Sequence, residues 1–201
     1  GTTAHAIMAL NAEDGGSREY ILVQLPEKTD ESSEPYKDGY KNICDIGEER
    51  IRRAAKRIKE ETKADIDYGF RVFKIDSSNM KDVYYNPAET QQNFLDVFAD
   101  NIKPDRTPED LLFQVMLDLG VMLSSKIEET EIDGKKVFNV ADGFLIACFD
   151  KDVTDETVKA IAQKKPYYAV FRDSSMANDS VATNFDQIFE SYSPDTVRKV
   201  L

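Results

Sequence analysis

Apolar residues fall into short runs separated by glycine, proline and acid-rich stretches, and the spacing within each run predicts its element. Thr2 or Thr3 is placed to cap a helix that carries Ala4 to Leu10, runs to about Asn11 and stops at Gly15-Gly16. Tyr20-Ile21-Leu22-Val23-Gln24-Leu25 is a nearly continuous apolar run bounded by Gly and Pro26, the pattern of a buried parallel strand. From Tyr36 to about Glu61 apolar residues recur at helical spacing (Tyr36, Tyr40, Ile43, Cys44, Ile51, Ala54, Ala55, Ile58), with Gly47 marking a kink or a helix boundary. Phe70 to Ile75 alternates and predicts a strand with one more polar face, ended by Asp76-Ser77-Ser78-Asn79.

Two helix starts follow. Asn86-Pro87-x-Glu89 and Thr107-Pro108-x-Asp110 each combine a capping side chain, proline at the first helical position and an acid at the third. They predict helices near 87–102 and 108–127, the second apolar on most sides and therefore expected at the centre of the fold. Asp133-Gly134 predicts the turn of a hairpin spanning Thr130 to Phe138. Phe144 to Phe149 reads as a strand, Thr154 as the cap of a helix to about Lys164, Tyr167 to Phe171 as a strand, and Ser193-Pro194-Asp195 as the start of a short last helix. The order α-β-α-β-α-α-β-β-β-α-β-α predicts an α/β chain with a hairpin in its second half and a boundary near residues 76–86. Val72 to Ser78 and Val170 to Ser175 echo each other as strands ending in Asp-Ser-Ser; strands commonly end in turn and cap residues, which accounts for the echo without a repeat.

Composition narrows the function classes. With 201 residues, 41% hydrophobic and 32% charged, the sequence is that of a globular chain. Leu111 to Ile127 is interrupted by polar residues and is too broken to span a bilayer. The formal net charge of -12 repels nucleic acid, so contacts with DNA fall to another segment or to a local basic patch. The best patch, Arg50, Arg52, Arg53, Lys56, Arg57 and Lys59, has the spacing of the wet face of an amphipathic helix. Cys44 and Cys148 are far apart, with one His in the chain, so neither a disulfide framework nor a zinc site is expected. Both read as reduced residues in apolar contexts, which points to the cytoplasm. His5 sits among alanines with no partner for a triad and reads as a packing or surface residue.

Two places carry candidate chemistry. The N-terminus of the first helix, Gly1-Thr2-Thr3, offers backbone N–H groups and a helix dipole to an anion. Gln24 lies at the end of the first strand, where ligands sit in open α/β sheets and where an amide meets a ribose hydroxyl. The runs GTTAHA, YILVQLPE and GEERIRRA that surround these residues resemble the S-adenosylmethionine-binding half of amino-methylating DNA methyltransferases. GTTAHAIMALNAEDGG, YILVQLPE, IGEERIRRA, FRVFKIDSSNMKDVYY, RTPEDLLFQVMLDLGV and VFRDSSMANDSVATNFDQIF resemble one branch more closely: the carboxyl-terminal part of the adenine-methylating Mod subunits of type III restriction–modification systems. The similarity runs through nearly the whole chain.

The resemblance implies a Rossmann-like methyltransferase half-sheet, incomplete in this chain, over residues 1–80, followed by an α/β carboxyl-terminal subdomain with a hairpin over 81–201. S-adenosylmethionine is the implied cofactor, with Gly1, Thr2 and Thr3 near its methionine end and Gln24 at the ribose, where relatives carry an acid. The family's catalytic Asp-Pro-Pro-Tyr type tetrapeptide has no match, since the chain contains no Pro-Pro. The resemblance therefore implies a fragment, entered at the last glycine of the cofactor loop, with catalysis and DNA recognition supplied by upstream polypeptide and no methylation by the fragment alone. Implied partners are DNA through that region, a second Mod subunit and the restriction subunit. A second reading makes residues from about 80 onward a module for docking those subunits, without catalytic activity of its own.

Overall fold

A computed structural model describes residues 1–81, 101–176 and 179–201. They divide into two compact units, Gly1–Phe73 and Lys74–Leu201.

The first unit is helical. Helix α1 (Thr2–Asp14) has Gly1 as its N-cap with no side-chain cap bond, so Thr2 and Thr3 lie inside the first turn and do not cap it. It closes as its sequence predicts: Gly15 adopts φ 69°, the left-handed conformation that glycine enters without strain, and its N–H donates to Asn11 O at 2.8 Å. A short α2 (Glu34–Lys37) precedes α3 (Ile43–Thr62), which passes through Gly47 unbroken. The signal that starts α3 is a capping box: the Asn42 side chain accepts from Cys44 and Asp45 N–H, and the Asp45 carboxylate accepts from Asn42 N–H. The unit's core is the α1–α3 contact, with Ala4 and Met8 one turn apart against Ile51, Ala54, Ala55 and Ile58. On the wet face of α3 the basic patch is interleaved with acids one turn away. Arg52 pairs with Glu48, Arg53 with Glu49, Arg57 with Glu61 and Lys56 with Glu60.

Neither predicted strand of this region forms. Residues 18–26 and 70–75 have no regular structure, and Ile21 is 92% and Val23 89% exposed. A strand exists only through its ladder, and among the described residues no strand pairs with either run.

The second unit is a three-layer α/β/α sandwich. Helix α4 (Pro108–Asp118) starts at Thr107 with the predicted capping box. It stops nine residues before the expected end at 127, because Gly120 at φ 69° turns the chain out of the helix. It is also one-faced: Leu111, Leu112, Val115 and Met116 are buried while Leu117 is 64% exposed. The sheet follows as β1 (Ile127–Ile132), β2 (Lys135–Val140), β3 (Leu145–Cys148), β4 (Tyr168–Phe171) and β5 (Val197–Val200), paired in that order. β1–β2–β3 are antiparallel and β3–β4–β5 parallel, so the sheet is mixed. Asp133 (φ 52°) and Gly134 (φ 71°) make the hairpin turn, both in the left-handed region that such a turn requires.

The parallel half is wound as β3, α5 (Asp155–Gln163), β4, α6 (Asp179–Tyr192), β5. Alternation along the strands separates two cores. Phe138, Val140, Leu145, Ala147 and Val170 face α4, whereas Val137, Ile146, Cys148, Ala169 and Phe171 face α5 and α6. β3 is buried on both faces, which explains its unbroken apolar run. Phe171, Phe185 and Phe189 pack edge-on or tilted at 5.1 to 6.4 Å, and each such side chain contributes about 1.5–3 kcal/mol of burial.

The predicted last helix at Ser193-Pro194-Asp195 is instead the turn into β5. The Ser193 and Thr196 hydroxyls share a hydrogen bond of 2.6 Å, and Thr196 donates to Pro166 O at 2.6 Å. Helix α6 carries its own signal, Val181, Phe185, Ile188 and Phe189 at spacings of four, three and one, which the surrounding turn residues mask. The predicted helix near 87–102 lies outside the described residues but for its last two positions.

Candidate functional site

The α1 N-terminus carries no side-chain cap. Gly1, Thr2 and Thr3 are all exposed. No side chain caps the first-turn N–H groups, so they and the positive end of the dipole are left to solvent. The chain enters that turn hard against α3: a Cβ on Gly1 would come within 3.0 Å of Gly47 O and of Arg50 Cδ. Glycine lets the backbone approach α3 this closely.

Gln24 is reached from the same helix. The Cys44 thiol lies 3.7 Å from the carbonyls of both Gln24 and Leu25, and holds this stretch beside the first turn of α3. Cys44 and Gly47 are about one turn apart. The N-terminal part of α3 thus touches two stretches distant in sequence, Gly1 through Gly47 and Arg50, and the backbone of Gln24 through Cys44. The Gln24 side chain is exposed and its amide donates to Leu25 O at 3.1 Å. The uncharged amide leaves this end of the site without an acid at position 24.

Two residues here are not legible in the sequence. Cys44 has the apolar context of a core residue, yet it is half-buried and holds a loop. Arg50 has the spacing of a wet basic face, yet its stem packs against Gly1. Nothing in the spacing signals either contact, because both cross between segments distant in sequence.

The other chemistry-bearing residues are structural in their settings. Asn11 binds the chain after α1: its amide donates to Arg18 O at 2.9 Å and its oxygen accepts from Arg18 N–H at 3.1 Å. Arg18 makes a two-pronged bond to Asp14, which holds the Asp14 carboxyl below its ordinary range. In the second unit Cys148 is buried and burial pushes its thiol up to about 11, so it is inert at neutral pH. Ser77 accepts from Lys103 and Arg106, whereas Asp173–Ser175 forms a 3-10 turn, so the two Asp-Ser-Ser segments do different work. Among the described residues no group of three His, Cys, Asp or Glu side chains is arranged to hold a metal ion. No described helix is long and apolar enough to cross a membrane.

No family model matches the chain. Its sequence is 32% identical over 167 residues to the type III restriction-modification enzyme EcoP15I Mod subunit of Escherichia coli, a match over 82% of this chain and 24% of that protein. It is 28% identical over 166 residues to the EcoPI Mod subunit of Escherichia phage P1, over 82% of this chain and 25% of the relative. A shorter match of 51 residues, 43% identical and covering 25% of this chain and 12% of the relative, is to the type II methyltransferase M.KpnI of Klebsiella pneumoniae. The chain therefore spans about a quarter of the length of these two Mod subunits.

Proposed function

The chain is related to the Mod subunits of type III restriction–modification enzymes over most of its length, and from that premise we propose that it is a segment of a DNA adenine-N6 methyltransferase that uses S-adenosylmethionine. In this reading residues 1–80 supply one wall of the cofactor pocket. The uncapped α1 N-terminus at Gly1-Thr2-Thr3 receives the methionine carboxylate, and Gln24 hydrogen-bonds the ribose. The observation that supports the reading is that α3 contacts both stretches near its N-terminal end, Gly1 through Gly47 and Arg50 and the Gln24 carbonyl through Cys44. A carboxylate at free N–H groups and a hydroxyl at an amide are the chemistry each group is suited to.

The exposed runs around 21–25 and 70–75 fit the same reading. They are the strands of a Rossmann-like half-sheet whose neighbours come from polypeptide beyond these residues. That polypeptide also supplies the Asp-Pro-Pro-Tyr type catalytic segment and the contacts to DNA, for which this chain has no Pro-Pro and a net charge of -12. By itself the chain does not methylate DNA. Its two free cysteines suit the cytoplasm.

Calorimetry with S-adenosylmethionine tests the assignment. The chain alone is expected to bind with millimolar affinity or not at all, and the full-length enzyme to lose affinity on Gln24→Ala by about 0.5–1.5 kcal/mol, one hydrogen bond. Unchanged affinity in that variant removes Gln24 from the site. Methyl transfer from labelled cofactor by the isolated chain would remove the fragment reading.

A second reading concerns residues 81–201: a docking module for another Mod subunit or for the restriction subunit. It is favoured by exposed apolar side chains on a well-packed unit, among them Leu117, Met122 and the stacked rings of Phe144 and Tyr167, 5.2 Å apart. A stable dimer of the chain in sedimentation equilibrium supports it, and a monomer that loses nothing from the assembled enzyme on Tyr167→Ser refutes the aromatic contact.

A further inference from the structure

Beside α1 and α3 the first unit holds a cavity of about 390 Å³, within the range of small-ligand sites. One side is a single face of α3: Ile46, Arg50, Arg53 and Arg57 recur at spacings of three or four, and His5 of α1 and Tyr40 line the rest with them. The lining is largely apolar, as expected if the arginines contribute their aliphatic stems to it. Glu49 is the acid among the lining residues. With Glu61, which pairs with Arg57, three guanidinium groups meet two carboxylates, a local excess of one positive charge on a chain of net charge -12.

The protein leaves much of this donor capacity unused. Arg53 is held by Glu49 through Nε at 2.6 Å and by the Tyr40 hydroxyl at 3.3 Å. Arg57 is held by Glu61 through Nε alone, at 2.8 Å, which leaves both of its terminal nitrogens. The Arg50 guanidinium and the His5 imidazole make no ion pair or side-chain hydrogen bond to any described residue. A guanidinium offers five donors in a planar fork that matches phosphate, and its face stacks on a flat ring.

The geometry points to a binding site for a small planar molecule that carries a phosphate group, with the ring between Ile46 and the arginine stems and the anion on Arg50 and Arg57. Gln24 does not line this cavity, and the inference does not depend on the methyltransferase reading.

Phenyl phosphate is a suitable probe, with inorganic phosphate and phenol as its separate halves, titrated into the whole chain and followed by calorimetry or amide chemical shifts. Phenyl phosphate is expected to bind more tightly than about 1 mM, and more tightly than either half. Arg50→Gln and Arg57→Gln should each weaken it at least about tenfold, the loss of a charge-assisted fork, with no change in melting temperature. Lys56→Gln removes one charge from the same helix outside the cavity and should weaken it less than about twofold. No binding by phenyl phosphate, equal binding by inorganic phosphate, or an equal loss in Lys56→Gln overturns the proposal.

Discussion

Asn11 is buried at the end of α1, and both polar atoms of its side chain are spent on the backbone of Arg18. The pair works like one rung of a sheet made by a side chain, and it fixes where the chain leaves the helix. Asn11→Ala leaves the Arg18 N–H and carbonyl without these partners and is expected to destabilise the first unit by about 1–3 kcal/mol. Leu10→Ala, at an exposed neighbouring position, is expected to change stability by less than about 0.5 kcal/mol. Urea unfolding of the two variants checks this, and equal losses would mean that the Asn11 bonds contribute nothing. The sequence offers no hint of this role, since an asparagine near a helix end reads as a terminator and its partner lies seven residues on.

Elements are legible where their signals are local. The Thr107-Pro108-x-Asp110 start, the Asp133-Gly134 turn and the Thr154 cap each settle within four residues, and each stands where its signal places it. Elements that depend on distant partners are not legible. The apolar run at 20–25 reads as a strand because its side chains suit one, yet its ladder needs a neighbour that no described segment supplies. Val197 to Val200 falls in the predicted short last helix opened at Ser193-Pro194-Asp195, yet β4 recruits it as a strand. The candidate site divides the same way: Gly1-Thr2-Thr3 and Gln24 are visible as chemistry, whereas the contacts of Gly1 and of the Gln24 carbonyl with α3 are not. One contact between elements is pH-sensitive. Glu109 of α4 accepts from Lys136 of β2, and the ammonium holds the Glu109 carboxyl below its ordinary value of 4.5. Its stabilisation is therefore complete above about pH 4.5 and is lost as pH falls through the lower, folded value. Both side chains are partly exposed, which screens the pair and keeps its effect small. Glu109→Gln should flatten the acid limb of the melting temperature against pH. Identical acid limbs in Glu109→Gln and the parent chain would show that the pair carries no weight.

At the scale of the molecule two features oppose each other. A net charge of -12 keeps copies apart, while Ile21, Val23 and Leu25 offer an apolar run on which they can meet. Charge repulsion is screened by salt, with the Debye length falling from about 10 Å at 0.1 M to about 3 Å at 1 M, and apolar contact is not. Self-association of the chain is expected to rise with salt and to be suppressed by Val23→Asp. Sedimentation velocity across that range tests it, and association that weakens with salt would assign the contact to ion pairs.

The second unit's strands lie side by side in the order in which they occur in the chain. Every new strand meets a neighbour already made, with at most one helix between them to close over. No strand has to be inserted between two others, so the sheet can grow from one edge as the polypeptide leaves the ribosome, each closure spanning either a short turn or one helical crossover. The last strand, β5, then only has to cover the open edge of β4 once everything before it is in place.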